Sequence, residues 1–409
     1  MAALVAALAA AAPAAASHAG SFDAGFGGNG VVTTPLQGDG GANAVAPLDD
    51  GGFILAGQTA WSGASAFEVA KYRSNGSPDP SFGGGDGYVR VEIGASAMAA
   101  GVLARPDGRI VVTGAAFRDG KIQIAVVRLL PDGTLDPSFA DGGIFTHAIG
   151  GAAMAMASQP GGLNTLVVGG TAQVGPTAGL QDQAFVAMRL RADGTLDPTF
   201  GDGGVALATR PGHAYALTVQ PDRKVVLAGE SLVGGKRVFA AARLNEAGKP
   251  DPSFGSGGER LIPIGAGAAA TGVVLAPNGS LFLGGNAFTN TAVAATVRLG
   301  QSGDLQAGFG VGGISTVATG YGVNGIVRQP DGKLLLPSTG GLNVVRLTAT
   351  GALDKSFSGD GIAELPVGNR SAANGAAIDP FGRILLAGAV IQNGVGHLAA
   401  ARLESGIGE

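Results

Sequence analysis

A short segment, residues 128–143, recurs along the whole chain and limits what the chain can fold into. It has the sequence RLLPDGTLDPSFADGG, and its copies follow one another at a spacing of roughly 55 residues. Self-similarity at such a period is typical of repeat architectures, in which every unit packs against its neighbours. The repeat says more about how the molecule is built than about what it does.

Three markers define the unit, and each is found seven times. The first is an arginine at the end of an apolar run, at Arg73, Arg128, Arg189, Arg243, Arg298, Arg346 and Arg402. The second is an Asp-Pro-Ser-Phe turn, whose acids are Asp23, Asp79, Asp136, Asp197, Asp251 and Asp354, and whose aromatic residues are Phe26, Phe82, Phe139, Phe200, Phe254, Phe309 and Phe357. The third is a Pro-Asp-Gly-Lys/Arg turn, clearest at residues 106–109, 221–224 and 330–333.

The composite pattern R-L-x-x-D-G-x-L-D-P-S-F-G-x-G-G, followed by Q-P-D-G-K, resembles the bacterial delta-60 repeat. The resemblance covers residues 22–403. It implies a β-propeller fold but no activity or site residues, because the family has no assigned function. Two copies depart from the pattern: Gln306-Ala307-Gly308 replaces Asp-Pro-Ser in the sixth, and Phe381 replaces the turn aspartate in the seventh.

Each unit contains four short apolar runs, which in the second unit are residues 88–93, 97–103, 110–114 and 122–129. They are rich in Val, Ile and Ala and are bounded by Gly and Asp, which is typical of β-strands. The short turns between them indicate antiparallel neighbours. Many runs are apolar on both faces, so each sheet must be covered on both sides.

Four-stranded sheets stacked face to face around an axis supply this cover. The sequence therefore predicts an all-β fold, a seven-bladed β-propeller. A β-solenoid and a row of separate sandwiches are the alternatives. Residues 20–409 are expected to form one domain, because a repeat array escapes the size limit of a single core. We expect the link that carries Asp-Pro-Ser-Phe to lie between blades, since it is the longest constant connection. How the ring closes is not encoded in the repeat.

The N-terminal residues 1–19 resemble a signal peptide, with an Ala-, Leu- and Val-rich run followed by Ser17-His18-Ala19. No Lys or Arg precedes the run, so a plain low-complexity leader is the alternative. No later segment is long and apolar enough to predict a membrane span. We expect a secreted, periplasmic or cell-surface protein.

Composition removes several classes of function. The chain has no cysteine, which excludes disulfides, thiol nucleophiles and thiolate metal sites. Its net charge of −4 is spread without long runs of either sign, so no basic face for nucleic acid is predicted. We expect a monomer.

The repeated charged and aromatic residues are interpreted as structural. A buried arginine needs a partner, or its desolvation is uncompensated. We predict that the seven arginines contact the turn carboxylates or backbone carbonyls and hold the blade junctions, with the repeated phenylalanines as core plugs. Ligand binding at several blades is the alternative.

No metal or cofactor site is predicted. The Gly- and Asp-rich runs suggest calcium, but Asp193, Asp197 and Asp202 lack a closing acid, so turn glycines are favoured over a weak calcium site. Residues 229–236 approach a phosphate loop, yet Arg237 stands where Ser or Thr is required. The remaining histidines, His147, His213 and His397, lie in different units. A Ser-His-Asp triad assembled across blades stays an alternative.

The connection before the last strand of each unit varies in length and carries Trp61, Phe117 and Phe288 in three units. In a closed ring these loops share one face, so the three aromatics are predicted to form part of a binding rim; ordinary surface variation is the alternative. The expected function is an exported, non-catalytic binding or structural module of the bacterial envelope or exterior, with a protein or glycan partner.

A hydrolase or lyase that acts on a glycan or small ester through a central pocket is the alternative function. Converging carboxylates and a histidine on the axis favour the enzyme, whereas a channel lined by Ala, Val and Gly favours the binder.

Overall fold

The structure, a computed structural model, describes residues 18–34, 38–161, 165–177, 179–365, 367 and 370–406. Those residues contain strands and two short 3₁₀ turns, Gly83–Gly85 and Leu180–Asp182, but no α-helix. The all-β prediction is confirmed. Residues 1–17 of the predicted signal peptide lie outside the described residues. Within the described ranges, no helix is of the length and apolar character that crossing a bilayer requires.

The strands are short, and most of them span four to nine residues. In chain order they are β1 (Val31–Thr34), β2 (Asp39–Pro47), β3 (Phe53–Trp61), β4 (Ala64–Tyr72), β5 (Tyr88–Val91), β6 (Ser96–Ala104), β7 (Ile110–Arg118), β8 (Lys121–Leu129), β9 (Ile144–His147), β10 (Ala152–Ser158), β11 (Leu166–Gln173), β12 (Gln183–Leu190), β13 (Val205–Val219), β14 (Val225–Val233), β15 (Lys236–Leu244), β16 (Glu259–Ile262), β17 (Gly267–Leu275), β18 (Leu281–Phe288), β19 (Ala292–Leu299), β20 (Ile314–Val317), β21 (Val327–Arg328), β22 (Leu334–Ser338), β23 (Asn343–Leu347), β24 (Ile362–Ala363), β25 (Arg370–Ile378), β26 (Ile384–Gln392) and β27 (Val395–Leu403).

Among the described residues these strands form five four-stranded sheets and one seven-stranded sheet. Four sheets are consecutive in sequence: β2–β5, β6–β9, β17–β20 and β21–β24. In the seven-stranded sheet, β10–β16, the first half of β13 pairs with β12 and the second half pairs with β14. This double sheet arises because β13 runs on where other units make a turn.

The remaining sheet, called the closing sheet here, joins the two ends of the chain. It contains β25, β26 and β27, and β1 is its outer strand. Val31 pairs with Ala401 and Thr34 pairs with Leu398 in antiparallel register. The N–H of Gly20 also donates to the carbonyl of Glu404 at 2.8 Å.

The grouping of strands predicted for the second unit is wrong by one strand. Residues 88–91 form β5, which pairs with β4, so that Val89 lies opposite Val69. The sheet that contains β6, β7 and β8 takes its fourth strand, β9, from the next sequence unit. Each sheet thus combines three strands of one sequence unit with the first strand of the next unit. The closing sheet follows the same rule, since its outer strand is β1.

The predicted place of the Asp-Pro-Ser-Phe link, between blades, is also wrong. Residues 130–143 connect β8 to β9 within one sheet. The link is long because it folds back on the end of its own strand: Leu135 bridges to Leu129, and the Asp136 N–H donates to the Arg128 carbonyl at 2.9 Å. The connections between sheets are shorter, as residues 92–95 between β5 and β6 illustrate.

The apolar core lies between sheets rather than inside one of them. One buried cluster combines Phe67 and Val69 of the β2–β5 sheet with Val112 and Ala125 of the β6–β9 sheet. Another combines Phe53 with Leu398 of the closing sheet. Sheets that are covered on both faces explain why the strands are unbroken apolar runs. The first strands of neighbouring sheets also contact one another, and β25 contacts β2.

Candidate functional site

The repeated arginines lie near the end of the third strand of their sheets, against the turn carboxylates. Arg128 Nε is 2.8 Å from Asp136 Oδ2. The same distance is found in Arg189–Asp197, Arg243–Asp251, Arg346–Asp354 and, in the closing sheet, Arg402–Asp23. A second cation often reaches the same oxygen, as Arg109 Nε does at 2.8 Å from Asp136. Burial alone would raise the pKa of Asp136, but hydrogen bonds from Ser138 and Arg109 and the charge of Arg128 hold it well below its usual range.

The same arginines reach across the junction to the next sheet. Arg189 Nη1 donates to the Glu246 carbonyl at 2.7 Å. The equivalent bonds run from Arg128 to Ala192, from Arg243 to Gln301, from Arg346 to Ser405 and from Arg402 to Ser74. Each arginine therefore links a turn acid of its own sheet to the main chain of a neighbour, and the bond from Arg402 connects the closing sheet to the β2–β5 sheet.

The repeated phenylalanines are buried at these junctions. Phe139 lies under the Arg128 guanidinium, whose Cζ is 4.6 Å from the ring centroid. Across the junction, Phe82 packs on Gly133 of the next sheet, where a Cβ would lie 2.9 Å from a ring carbon. Gly133 also has a φ of +91°, which favours glycine. The turn glycine thus makes room for the aromatic ring of the preceding sheet.

Two of the seven predicted arginines do not make this ion pair. The junction role predicted for Arg73 is wrong. Arg73 is exposed just beyond β4, and Lys71 occupies the equivalent place, with Nζ 3.0 Å from Asp79 Oδ2. The bridge of Tyr72 to Pro78 matches that of Leu129 to Leu135 and fixes this register. The pKa of Asp79 is about 2, because hydrogen bonds from Ser81 and Lys71 outweigh the effect of burial.

Arg298 is the second exception, because Gln306 replaces its acid. In the described part of the chain Arg298 Nε is buried and meets no acceptor. The guanidinium lies instead near Phe282, with Cζ 5.3 Å from the ring centroid. Phe309, the repeated phenylalanine of this sheet, is fully buried and contacts Phe282 edge to face at 5.4 Å.

The three predicted rim aromatics lie at the hairpins between the second and third strands, opposite to the arginine turns. Trp61 is 52% exposed, Phe117 45% and Phe288 56%. Trp61 and Phe288 line different cavities, and neither of these two cavities includes Phe117. The structure therefore places the three near hairpin tips without bringing them into one pocket. Phe117 and Phe288 are equivalent in strand register, whereas Trp61 lies one residue further along its strand, at the position of Arg118.

The cavity beside Trp61, called the Trp61 cleft here, has a volume of about 420 Å³. It is formed by β3, β4 and β5 of one sheet and is lined by Thr59, Trp61, Glu68, Tyr88, Arg90 and Glu92, among others. Arg90 Nε lies 3.6 Å from Glu92 Oε1, and both side chains are in contact with solvent. The cleft thus combines an aromatic face with a carboxylate, a guanidinium and a hydroxyl, which suits a polar ligand that also has an apolar face.

Glu68 lies at the floor of the Trp61 cleft and is only 2% exposed. Its Oε2 accepts a hydrogen bond from Thr59 Oγ1 at 3.1 Å, whereas Oε1 meets no donor among the described residues. Burial raises the pKa of Glu68 to about 7, against the Thr59 hydrogen bond and the charge of Arg90, which lower it. At neutral pH this carboxyl can both donate and accept a hydrogen bond.

A second polar cluster surrounds Glu230, a fully buried carboxylate on β14. The Tyr215 hydroxyl donates to Glu230 Oε1 at 2.9 Å, and Arg237 Nη1 lies 3.0 Å from the same oxygen. His213 Nδ1 is 3.5 Å away, while His213 Nε2 is buried without a partner in the described chain. Burial would raise the pKa of Glu230, but these contacts lower it. A cavity of about 460 Å³ separates the cluster from Phe288.

Two of the first strands, β2 and β25, carry an asparagine at their bulge, and a third asparagine precedes β21. Asn374 Nδ2 donates to the Ala42 carbonyl at 2.9 Å, and Asn43 Nδ2 donates to the Ala99 carbonyl at 2.8 Å. Asn324 binds the Ala373 carbonyl in the same way. These amides hold neighbouring sheets together, so their role is structural.

The described residues contain no group of three or more His, Asp or Glu side chains that could hold a metal ion. Residues 229–236 belong to the β14–β15 hairpin, in which Val233 pairs with Lys236. A phosphate loop leads from a strand into a helix, so this hairpin lacks the required geometry. His147 and His397 do not join the Glu230 cluster, and burial lowers the pKa of His147.

Sequence reasoning identified Trp61 and Phe288 but missed Glu68 and Glu230 beside them. The available signal was an acid inside an otherwise apolar run, in FEVA for Glu68 and in LAGESLV for Glu230. Such an acid is costly to bury unless it is bonded or serves a site.

A family model described as a domain of unknown function (DUF5122), beta-propeller, matches residues 49–82, 105–139, 164–200, 220–254 and 329–357. Each match ends at or near an Asp-Pro-Ser-Phe turn. These matches, repeated along the chain, support a β-propeller repeat family. In that fold the sheets described above are the blades, and the arginine turns are junctions between blades.

The fold is similar to that of one solved structure, and a second is less similar. Virginiamycin B lyase from Staphylococcus aureus is 12% identical, with 90% of this chain and 98% of that chain covered and a TM-score of 0.50. Sqt1 from Chaetomium thermophilum is 13% identical, with 91% and 97% covered and a TM-score of 0.46. At these identities the likeness concerns the fold alone. No curated protein sequence matches the chain.

Proposed function

We propose that the protein is an exported, non-catalytic binding propeller of the bacterial envelope or exterior, a monomer of the delta-60 repeat type. Residues 20–409 form one domain of seven blades, with the double sheet counted as two. Main-chain bonds support this count, because each turn donates to the next sheet: Gly83 to Asp132, Ala140 to Asp193, Gly201 to Ala247, Gly255 to Ser302, Gly310 to Thr350, Ser358 to Ala19 and Gly27 to Asn75. The last bond returns to the first blade.

The binding site is the Trp61 cleft, and its ligand is a glycan. The observation that carries this proposal is the half-exposed indole of Trp61 beside Glu68, a buried carboxyl with one oxygen that meets no donor in the described part of the chain. A sugar ring has an apolar C–H face that packs on indole and hydroxyls that a carboxyl and a guanidinium bind. Tryptophan is also among the residues enriched at the hot spots of protein–protein interfaces.

The test is a glycan array with the mature protein, followed by titration calorimetry with the retained glycan. Trp61→Ala should lower the affinity by about tenfold or more. Phe117→Ala is the control, because Phe117 is an exposed aromatic near the tip of the neighbouring hairpin and does not line the Trp61 cleft, and it should bind like the wild type. Retention of no glycan, or equal affinities of the two variants, would overturn the proposal.

The Glu230 cluster supports a second candidate function, a hydrolase or lyase that uses His213 as a base. Glu230 and Tyr215 orient the imidazole, as an acid–base site requires. This function ranks second because His213 Nε2, the nitrogen that would take the proton, is buried away from solvent. Array glycans and small esters that are turned over by the wild type, but not by His213→Asn, would replace the binding proposal with the enzyme.

A further inference from the structure

The end of the molecule that carries the arginine turns has a cavity of about 780 Å³. It lies where the double sheet meets the β17–β20 sheet, and Gln220, Asp222, Lys224, Asn278, Gln301 and Arg328 are among its lining residues. The second strand of every sheet runs from these turns to the hairpin tips, so this turn-face cavity and the Trp61 cleft lie at opposite ends of the strands.

The turn-face cavity has an uncompensated positive charge. Lys224 Nζ lies 3.1 Å from Asp222 Oδ2 and 3.4 Å from Asp251 Oδ2. Arg243 is paired with Asp251 at 2.8 Å. Arg328 makes no ion pair with any described residue. Three cations therefore face two carboxylates, and the remaining charge is that of a guanidinium, which binds carboxylates in a planar, two-pronged geometry.

Comparison with the other units shows that this charge is local. Arg328 is the last residue of β21, and the equivalent positions of the other first strands are uncharged: Pro47, Ala104, Ser158, Val219, Leu275 and Ile378. Asn278 stands where other turns have an acid, such as Asp107 or Asp331. One departure adds a cation and the other removes a carboxylate, and both line the same cavity.

An orphaned acceptor completes the site. Gln220 lines the turn-face cavity and is 6% exposed, and its Oε1 meets no donor within the described ranges. A buried oxygen without a donor is unfavourable, and a ligand hydroxyl would satisfy it. We propose that the turn-face cavity binds a small hydroxylated carboxylate of the sugar-acid class, with the carboxylate on Arg328 and a hydroxyl on Gln220.

The test is calorimetric titration of the mature protein with glucuronate, with glucose and inorganic phosphate as comparison ligands. Glucuronate should bind, and Arg328→Leu should weaken it by about tenfold or more, since it removes the charged partner. Asn278→Asp should weaken it similarly by placing the repeat's own acid in the cavity. This variant is expected to fold, because Asn278 Oδ1 accepts from Ser280 N at 3.1 Å just as Asp107 Oδ1 accepts from Arg109 N at 3.1 Å.

Three results would overturn the inference: no glucuronate binding by the wild type, unchanged binding in both variants, or phosphate binding as tight as that of glucuronate, which would indicate an oxyanion site without sugar specificity. The inference is independent of the Trp61 cleft. Trp61→Ala should retain glucuronate binding, and Arg328→Leu should retain the array glycan, so the two proposals fail separately.

Discussion

The β6–β9 sheet and the β17–β20 sheet are built on one pattern, but only the first keeps a carboxylate beneath its strand arginine. In the first, Asp136 accepts from both Arg128 and Arg109. In the second, Gln306 stands in that place and Arg298 lies near Phe282. The main chain is nevertheless the same: the Asp136 N–H donates to Arg128 O at 2.9 Å, and the Gln306 N–H donates to Arg298 O at 3.0 Å.

This comparison separates two roles of the repeated turn: shaping the main chain and fastening one blade to the next. The turn keeps its shape without the ion pair, because backbone hydrogen bonds and the buried phenylalanine are retained at Phe309 as at Phe139. The arginine bond to the next sheet is found where the acid holds the guanidinium, as with Arg128 and Ala192. The backbone therefore sets the turn, and the ion pair fastens the blade junction.

The largest expected effect comes from removing the acid where it is present. Asp136→Asn leaves Arg128 and Arg109 without their shared carboxylate in a buried site, which should lower the free energy of unfolding by about 3–5 kcal/mol. Chemical denaturation measures this. The matched control is Gln306→Asn, at the same turn position without an ion pair, which should change stability by under about 0.5 kcal/mol. Similar losses in the two variants would contradict the division of roles.

A second prediction contrasts Asp136 with Glu68, a buried carboxyl that forms no ion pair with any residue the structure describes. The folded pKa of Glu68 is about 7, above its unfolded value of 4.5. The stabilisation that this group contributes is thus complete below pH 4.5 and is lost as the pH rises from 4.5 through 7, by roughly 3 kcal/mol in all. Glu68→Gln should remove this slope, as measured by denaturation between pH 4.5 and 8. Asp136, whose pKa is depressed, acts in the opposite sense and loses stability only in acid.

Trp61→Ala is the control for this profile, since it alters the cleft but keeps the titrating carboxyl and should keep the slope. A slope that persists in Glu68→Gln would assign it to another group.

The comparison can also be run in reverse, by restoring the missing acid. Gln306→Asp with Gly308→Ser rebuilds the Asp and Ser partners of Arg298, and a Cβ at Gly308 meets no atom within 4 Å. We expect a gain of about 1 kcal/mol in the free energy of unfolding. In an Arg298→Met background the same pair should destabilise the protein, because the new acid would lack its cation. Equal effects in both backgrounds would show that no ion pair forms.

The smallest effect is expected at the turn of the β2–β5 sheet, where a lysine takes the place of the repeated arginine. Lys71 already pairs with Asp79 at 3.0 Å and is 20% exposed. Lys71→Arg should change the midpoint of thermal unfolding by less than about 1 °C, equivalent to a few tenths of a kcal/mol. A loss as large as that of Asp136→Asn would mean that Lys71 has a role beyond the ion pair.

The repeat predicted the sheets, their two covered faces and the pairing of arginine with turn acid, because these depend on features that recur in every unit. It did not predict where a sheet begins. A period fixes only the spacing of equivalent strands, and the offset is set by β1, which lies outside the complete copies and pairs with β27.

The error at Arg73 has a related cause. Spacing along the chain suggested an arginine, whereas the strand register selects Lys71, eight residues before Asp79 as Arg128 is before Asp136. The Trp61 cleft and the turn-face cavity depend on residues that differ between units, such as Glu68 and Arg328, and a pattern shared by all units cannot reveal them.

The union of β1 with β27 determines how the molecule would respond to a mechanical load. Val31 lies opposite Ala401 in an antiparallel pair, so the chain enters β1 and leaves β27 at the same end of the pair. Tension applied between them would therefore peel the hydrogen bonds apart in succession instead of shearing them together. Beginning with the Phe22–Leu403 bridge, the rupture would travel inward from that end, and a modest force would release the outermost strand while the other sheets stayed intact.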